Sequence, residues 1–250
     1  MTHLPGSEGS LPLVSCVCPT FNRPTEGMRL LEEAVESFLR QDYPHKELLI
    51  LNDCAEQELV CDEPGVRVIN LDTRTTSLGE KRNQGARLAA GSLIAPWDDD
   101  DISLPWRLSQ SVAALGQTSY YNPKLYWFYD NYQGQLLGDQ STGYGHNLSL
   151  YTRAAFEQVG GYPAISLGED AEMDTRLLAL VREDAVRPEP LPIEDWFYIY
   201  RWGISATHLS GRPDEDHYAD IGARTIATGT FTIAPQWDRD CVDMTRSHLA

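Results

Sequence analysis

The apolar positions of the chain follow two different spacings, which predict strands and helices in alternation over the first half of the sequence. Short apolar runs typical of buried strands lie at 13–18, 46–53, 66–72 and 93–97. After the first run, apolar residues recur every three or four positions over 27–41, the spacing of a helix. Ser77 with Glu80 forms a capping box for a second helix, which Gly91 ends. The order strand, helix, strand, strand, helix, strand predicts an α/β fold with a mainly parallel sheet flanked by helices.

The second half of the chain has a more mixed pattern. Strand-like runs lie at 124–132, 147–153 and 195–202. Helical patterns lie at 154–162, where two glycines end the helix, and at 169–181, where acidic residues occupy the first turn. The segment 1–12 is polar and rich in Gly and Pro, which favours a flexible tail. Because no linker-like segment interrupts the rest, residues 13–250 are predicted to form a single domain.

Three polar motifs begin where predicted strands end. They are PTFNR after the first strand, NDC at the end of the second and DDDD, Asp98 to Asp101, after the fourth. In a parallel sheet the carboxyl ends of the strands share one edge, and ligands bind outside that edge. The three motifs are therefore expected to lie together and to form a site.

The run of aspartates predicts a bound cation. Adjacent carboxylates repel one another, so the run needs a compensating charge after a buried strand. Mg²⁺ or Mn²⁺ would supply it, and such an ion usually keeps positions for waters and substrate phosphates. A calcium-binding loop does not fit, because the sixth position counted from Asp98 is Ser103 where that loop needs glycine. The alternative is a solvated acidic turn that caps a helix beginning near Leu104.

Composition and net charge limit the classes of molecule that the protein is expected to bind. The formal net charge of −17 repels nucleic-acid phosphates and anionic lipids, so neither is an expected partner. An anionic substrate would need a local cluster of Lys or Arg, or a bound cation. The cysteines are odd in number and lack metal-ligand spacing, which favours a reducing compartment. The sequence has no signal-peptide pattern and no apolar run of membrane-spanning length, so a cytoplasmic protein is expected, with peripheral attachment to a membrane left open.

Four segments in a fixed order carry a resemblance to a known family. They are CPTFNR, QDYPHKELLILND, GEKRNQGARLAAGSLIAPWDDDD and FEQVGGYPAISLGEDAEMDTRLL. Together they resemble the family 2 glycosyltransferases, an inverting family with the GT-A fold, and the ordered set is far more specific than a D-x-D motif alone. The resemblance implies a Rossmann-like sheet with a nucleotide-sugar-binding half at 13–101. It also implies an acceptor and catalytic half, with a smaller mixed region, at 102–210, and a C-terminal extension at 211–250.

The resemblance also implies roles for individual residues. The nucleotide-sugar donor would contact Pro19, Thr20, Asn22, Asp53, Arg82, Asp98 and Asp99. Asp100 would hold Mn²⁺ or Mg²⁺ between the two phosphates, and His208 is a candidate third metal ligand. Asp170 would be the general base that accepts a proton from the acceptor hydroxyl.

Some of these assignments have alternatives. Asp99 or Asp101 could replace Asp100 as the metal ligand, because the run leaves the register open. The family's usual Asp-Asp-Gly-Ser after the second strand is here Asn-Asp-Cys-Ala at 52–55, so the base-recognition loop could differ in shape. The acidic pair that includes Asp170 could act only as favourable charge at a helix N-terminus. A lone histidine such as His208 is often an ordinary polar residue.

The expected function is transfer of a sugar from a nucleotide diphosphate to an acceptor hydroxyl, by a single displacement that inverts the anomeric carbon. The nucleotide is expected to be UDP on family grounds, while the sugar, the acceptor and the oligomeric state are not readable. Aromatic residues that could stack on a carbohydrate acceptor are Trp127, Tyr129, Tyr132 and Tyr144. The alternatives are a sugar nucleotidyltransferase, which would need a Gly-rich basic loop after the first strand, and a non-catalytic nucleotide-sugar or glycan-binding protein.

Overall fold

The computed structural model describes most of the first four-fifths of the chain and two later strands. The described residues are 11–23, 25–140, 145–181, 191–203, 225–229 and 245–246. Nearly all of the tail predicted at 1–12 and most of the extension predicted at 211–250 lie outside them, as do Tyr144 and His208.

The strands and helices of the described residues are numbered in chain order. The strands are β1 (Val14–Thr20), β2 (Lys46–Asn52), β3 (Glu58–Leu59), β4 (Val66–Asn70), β5 (Leu93–Pro96), β6 (Ile102–Ser103), β7 (Tyr120–Tyr121), β8 (Leu125–Asp130), β9 (Gln135–Gln140), β10 (Leu150–Thr152), β11 (Tyr198–Trp202), β12 (Thr225–Gly229) and β13 (Thr245–Arg246). The helices are α1 (Thr25–Leu39), α2 (Leu78–Leu88), α3 (Arg107–Leu115), α4 (Arg153–Gln158) and α5 (Glu169–Leu180). Single 3₁₀ turns lie at His146–Leu148 and Ile193–Asp195.

A six-stranded sheet in the order β4-β2-β1-β5-β10-β7 forms the centre of the molecule. The first four strands are parallel, and β10 is antiparallel to both of its neighbours. The predicted α/β fold with a mainly parallel central sheet is confirmed.

The parallel strands have their carboxyl ends at the same edge of the sheet. Thr20 of β1 pairs with Asn52 of β2, whereas Pro96, the end of β5, pairs with Val17, three residues before the end of β1. The motifs after Thr20, Asn52 and Pro96 therefore all leave the sheet at this edge. The predicted convergence of the three motifs is confirmed.

Helices cover both faces of the central sheet, and alternate strand residues divide between two apolar cores. Cys16 and Cys18 pack with the α1 residues Leu31 and Phe38 in one core. Val17 packs in the other core, which also contains residues of α2, α4 and α5. Since side chains alternate across a strand, a parallel strand buried on both faces is apolar at nearly every position, and in the run at 13–18 only Ser15 is polar.

A second, mixed sheet has the order β12-β9-β8-β11-β6. The strands predicted at 124–132 and 195–202 are its β8 and β11, which run parallel. β6 has only two residues and β9 contains Gly138, so neither has the alternation that marks a strand in sequence. Two predicted ends were wrong: the strand predicted at 147–153 begins three residues later, after a 3₁₀ turn, and Arg153 instead opens α4.

Among the described residues, none of the helices has the length and apolarity that crossing a lipid bilayer requires.

Candidate active site

The chain leaves β1 through a tight turn that carries the first predicted donor residues. Pro19 and Thr20 are buried at the end of β1, and Asn22 adopts a left-handed conformation with a φ of 43°. The Thr20 hydroxyl is buried and has no hydrogen-bond partner within the described residues. Because buried hydroxyls are rarely left unpaired, this group is available to a ligand or a water.

Asp53 follows β2 and is held by two neighbours. Lys81 Nζ lies 2.5 Å from Asp53 Oδ1, and Thr75 donates to Oδ2 through its N–H (3.0 Å) and its hydroxyl (2.8 Å). Burial alone would raise the pKa of Asp53, but these donors outweigh it and lower the pKa from its ordinary value of 3.8. Lys81 also donates to the Thr20 carbonyl oxygen at 2.5 Å, which ties the ends of β1 and β2 together.

The four aspartates after β5 have different partners. Arg82 Nη2 lies 3.1 Å from Asp98 Oδ1, and the Asn147 side-chain amide donates to Asp98 Oδ2. Arg23 Nε donates to Asp99 Oδ2 at 2.7 Å, and its Nη2 contacts Asp99 Oδ1. The same Nη2 lies 3.3 Å from Asp100 Oδ2. Arginine side chains therefore offset much of the repulsion within the run.

Asp101 points away from the other three carboxylates. It accepts hydrogen bonds from the Tyr198 hydroxyl at 2.6 Å and from the Arg201 backbone N–H at 2.7 Å. Burial, followed by the charges of Asp100 and Asp98, raises the pKa of Asp101 well above its ordinary value. With both oxygens engaged on β11, Asp101 is the least suited of the run to replace Asp100 as a metal ligand.

Arg82 joins the acidic run to the N-terminus of α5. Its guanidinium contacts Asp98 on one side and, at 3.4 Å, Glu169 Oε1 on the other. Burial would lower the pKa of Arg82, but Asp98, Tyr162, Glu169 and Asp170 together raise it above its usual value. Asp170, the residue after Glu169, is therefore held close to the acidic run, and it is only partly buried.

A buried polar network anchors the other side of α5. His146 Nδ1 lies 2.7 Å from Asp174 Oδ1, and its Nε2 lies 2.6 Å from the Tyr162 hydroxyl. The Tyr120 hydroxyl donates to the same Asp174 oxygen at 2.7 Å. His146 is thus a buried residue whose two ring nitrogens are both engaged in this network.

The profile of glycosyl transferase family 2 matches residues 15–160, more than half of the 250 residues of the chain. The chain belongs to this family. The match contains every predicted donor residue and ends before Asp170.

Curated glycosyltransferases are similar to parts of this family 2 chain. The glycosyl transferase WcaA of Escherichia coli K12 is 37% identical over 109 residues, which are 41% of this chain and 37% of that protein. The glucosyl-dolichyl phosphate glucuronosyltransferase of Haloferax volcanii is 27% identical over 176 residues, 60% of this chain and 55% of that protein. The chain thus spans between about a third and about half of the length of these relatives.

Solved structures of TarS from S. aureus share the fold of this family 2 domain. The 1–349 form in complex with UDP-GlcNAc has a TM-score of 0.56 at 14% identity, over 84% of this chain and 64% of that chain. The complex of the same form with UDP has a TM-score of 0.53 at 16% identity. This likeness confirms the GT-A fold.

The side chains present fit a metal ion that is shared with a ligand. Among the described residues, no three His, Cys, Asp or Glu side chains are arranged to hold an ion by themselves. Asp100 supplies a hard oxygen donor, and Mg²⁺ or Mn²⁺ bound with a diphosphate needs only one or two protein carboxylates. Both oxygens of Asp98 already accept from Arg82 and Asn147. Arg201 is buried beneath the run, where its guanidinium contacts Glu33 and the Asp100 carbonyl oxygen at 2.5 Å each.

Several residues of this family 2 site were not predicted from the sequence. Arg23, Arg74, Lys81, Asn147 and Glu169 all contact predicted residues or their neighbours. Arg74 stacks on Phe21 with its guanidinium carbon 3.4 Å from the ring centroid, beside the turn after β1. Lys81 lies on the helix surface facing the sheet edge, and a lysine in an otherwise polar helix does not by itself indicate that orientation.

Proposed function

We propose that the domain transfers a sugar from a UDP-sugar to an acceptor hydroxyl with inversion at the anomeric carbon. In this proposal Asp170 is the general base, Asp100 holds Mn²⁺ or Mg²⁺, and Asp98 faces the donor. The observation that carries the proposal is the Arg82 bridge between Asp98 and Glu169, because it places the acidic pair of α5 at the same sheet edge as the donor motifs.

The donor side of the site offers groups suited to a nucleotide. Among the described residues, Oδ1 of Asp53 accepts a hydrogen bond only from Lys81, so it retains a lone pair for an N–H of the base. The unpaired hydroxyl of Thr20 lies at the end of the adjacent strand. Crystal structures of TarS with UDP and with UDP-GlcNAc support the choice of a UDP-sugar for this shared fold.

The chemistry divides between the leaving group and the acceptor. A divalent ion at Asp100 would neutralise charge that develops on the departing diphosphate. Arg82 is buried between carboxylates and orients Asp98 and the start of α5. Asp170 accepts the proton of the acceptor hydroxyl as that oxygen attacks the anomeric carbon from the face opposite the diphosphate, which inverts its configuration.

Calorimetric titration with UDP, in the presence of Mn²⁺ and then of EDTA, tests the donor half of the proposal. We expect UDP binding that depends on Mn²⁺ in the wild type and is lost in Asp100→Ala. A wild type that binds UDP equally well in EDTA would contradict the metal part. If the wild type bound none of UDP, GDP, TDP and CDP, that result would contradict nucleotide-sugar transfer altogether.

Turnover of a panel of UDP-sugars, followed as UDP release with candidate acceptors, tests the base. We expect Asp170→Asn to keep the UDP affinity of the wild type and to lose about 10²- to 10⁴-fold in turnover. Glu172→Gln is the matched control, since Glu172 lies in the same first turn but is exposed and pairs with Arg176. Equal losses in both variants would assign Asp170 only an electrostatic role at the helix terminus. Donor affinity without product in the wild type would favour the binding-protein alternative.

A further inference from the structure

Arg23 places a protein cation inside the acidic run, and neither the sequence motifs nor the family resemblance assigns it a role. Its guanidinium makes two contacts with Asp99 and one with Asp100. The side chains of Arg23 and Asp99 are each only 8% exposed. A buried, two-point pairing of this kind is the strong form of an arginine–carboxylate contact.

The backbone of Arg23 is locked in place by a neighbouring loop. Gln57 accepts from the Arg23 N–H at 3.2 Å and donates to the Arg23 carbonyl oxygen at 2.7 Å. The Gln57 N–H in turn donates to the Cys54 carbonyl oxygen in the loop after β2. Together with the left-handed turn at Asn22, these bonds direct the Arg23 side chain toward the acidic run.

Arg23 holds its two carboxylates unequally. Asp99 receives a 2.7 Å bond from Nε as well as the Nη2 contact, whereas Asp100 is reached only by the shared Nη2 at 3.3 Å. The longer contact is the weaker one. A divalent ion on Asp100 would also repel the guanidinium, so the Asp100 contact would be the one to break.

We propose that Arg23 is the exchangeable counter-cation of Asp100. The guanidinium neutralises and positions the Asp100 carboxylate when no metal is bound, and yields that carboxylate to a divalent ion while Asp99 retains the arginine. Asp99 is then a positioning residue for Arg23 and is not itself a metal ligand. This inference rests on the proposed function only in placing the divalent ion at Asp100.

Calorimetric titration of the full chain with Mn²⁺ alone, without nucleotide, tests the exchange. Removing the competing charge in Arg23→Gln should tighten Mn²⁺ binding by about tenfold or more. Arg40→Gln is the matched control, because it also removes one arginine charge, but just after the opposite end of α1, where Arg40 is exposed and pairs with Glu36. A merely structural role for Arg23 would leave the Mn²⁺ affinity unchanged or lower it.

The Asp99→Asn substitution tests whether Asp99 positions Arg23 or is itself a ligand of the metal ion. In the wild-type background it should weaken Mn²⁺ binding, because Arg23 loses its stronger carboxylate partner and pairs more closely with Asp100. In the Arg23→Gln background the same substitution should have little effect, since the competitor is gone. A loss of Mn²⁺ affinity that persists in the double variant would make Asp99 a ligand and overturn the inference.

The outcomes distinguish this inference from the proposed function. Equal Mn²⁺ affinity in wild type and Arg23→Gln would overturn the inference and leave metal use standing. Mn²⁺ binding in Arg23→Gln alone would support the inference, and Mn²⁺ binding in neither protein would overturn it; in both cases metal use with the donor is decided by the titration with UDP. If Arg23→Gln does not fold, Arg23→Lys replaces it: its single ammonium cannot serve both carboxylates, so tighter Mn²⁺ binding than wild type is expected, and unchanged affinity overturns the inference.

Discussion

Two adjacent residues of α2 hold acids that come from three different parts of the chain. Lys81 pairs with Asp53 after β2, while Arg82 pairs with Asp98 after β5 and with Glu169 of α5. All of these side chains except that of Asp98 are less than 10% exposed. Removing one partner of such a pair leaves a buried charge without a counter-charge, which lowers the stability of the fold. Substitutions in these pairs are therefore expected to destabilise the protein.

Asp53→Asn should destabilise the fold by about 3 kcal/mol at pH 7, because it leaves the buried Lys81 without a counter-charge. The pKa of Asp53 is lowered in the folded state, so its contribution is present above the ordinary value of 3.8 and is lost as the pH falls below it. Urea unfolding of wild type and variant at pH 7, 5 and 3.5 measures this: the difference should shrink at the lowest pH. Asp72→Asn, at an exposed aspartate after β4, is the control. If the difference in unfolding free energy between wild type and Asp53→Asn were the same at pH 3.5 as at pH 7, the stabilisation would not come from the ion pair.

Arg82→Lys should destabilise the fold by about 3 kcal/mol or more despite keeping the charge, because one ammonium cannot bridge Asp98 and Glu169 as the planar guanidinium does. Thermal and urea unfolding measure the loss. Arg87→Gln, at an exposed position of the same helix, should change stability by less than about 0.5 kcal/mol. Comparable small effects of both substitutions would mean that Arg82 is not a bridge in solution.

At the scale of elements, α2 lies between the sheet and the loop that leads to α5. The Ser77 hydroxyl caps the helix by accepting from the Glu80 N–H at 3.1 Å, as the capping box predicts. The N–H of Gly79 donates to the Ile165 carbonyl oxygen at 3.0 Å. The first turn of α2 thereby supports the segment that positions Glu169 and Asp170.

Gly79→Ala should be destabilising, although alanine is the better helix former by about 1 kcal/mol. A Cβ at position 79 would lie 1.9 Å from the Pro163 carbonyl oxygen, so the loop before α5 has to move. We expect a lower melting temperature and a loss of turnover, with the UDP affinity less affected. Gln84→Ala in the same helix is the control and should be close to neutral. Unchanged stability and turnover in Gly79→Ala would show that the loop does not pack on α2.

At the scale of the whole molecule, the charge distribution is uneven. The chain carries 37 acidic and 20 basic residues, yet Arg23, Lys81 and Arg82 are all buried at the sheet edge. These local cations therefore offset part of the acidic charge that gathers at this edge.

Salt should stabilise the protein, because unpaired acidic groups repel one another over the whole surface. Raising the ionic strength from 0.01 M to 0.15 M shortens the screening length from about 30 Å to about 8 Å, which weakens repulsion between distant charges more than the buried pairs. The melting temperature, measured by calorimetry in NaCl at constant pH, should rise across this range. A fall would show that exposed ion pairs outweigh the net repulsion.

Much of the fold was predictable from local patterns in the sequence. The parallel strands β1, β2, β4 and β5 lie in largely apolar runs, and the capped helix α2 has its signal in Ser77 and Glu80. The position of the site was predictable too, since strand ends in a parallel sheet share an edge. These features depend on residues close together in the chain, which sequence spacing records directly.

The partners of the site residues were decided only by the tertiary structure. Arg23 and Asp99 are 76 residues apart, Arg82 and Glu169 are 87 apart, and Asp101 and the Arg201 N–H are 100 apart. Short strands such as β6 likewise form only because β11 pairs with them. The sequence by itself determined the sheet, its edge and the kind of chemistry placed there. Which cation pairs with which carboxylate depends on side-chain packing between distant segments. The sequence shows that a charged residue is present, but its side-chain orientation is fixed only when those segments pack together.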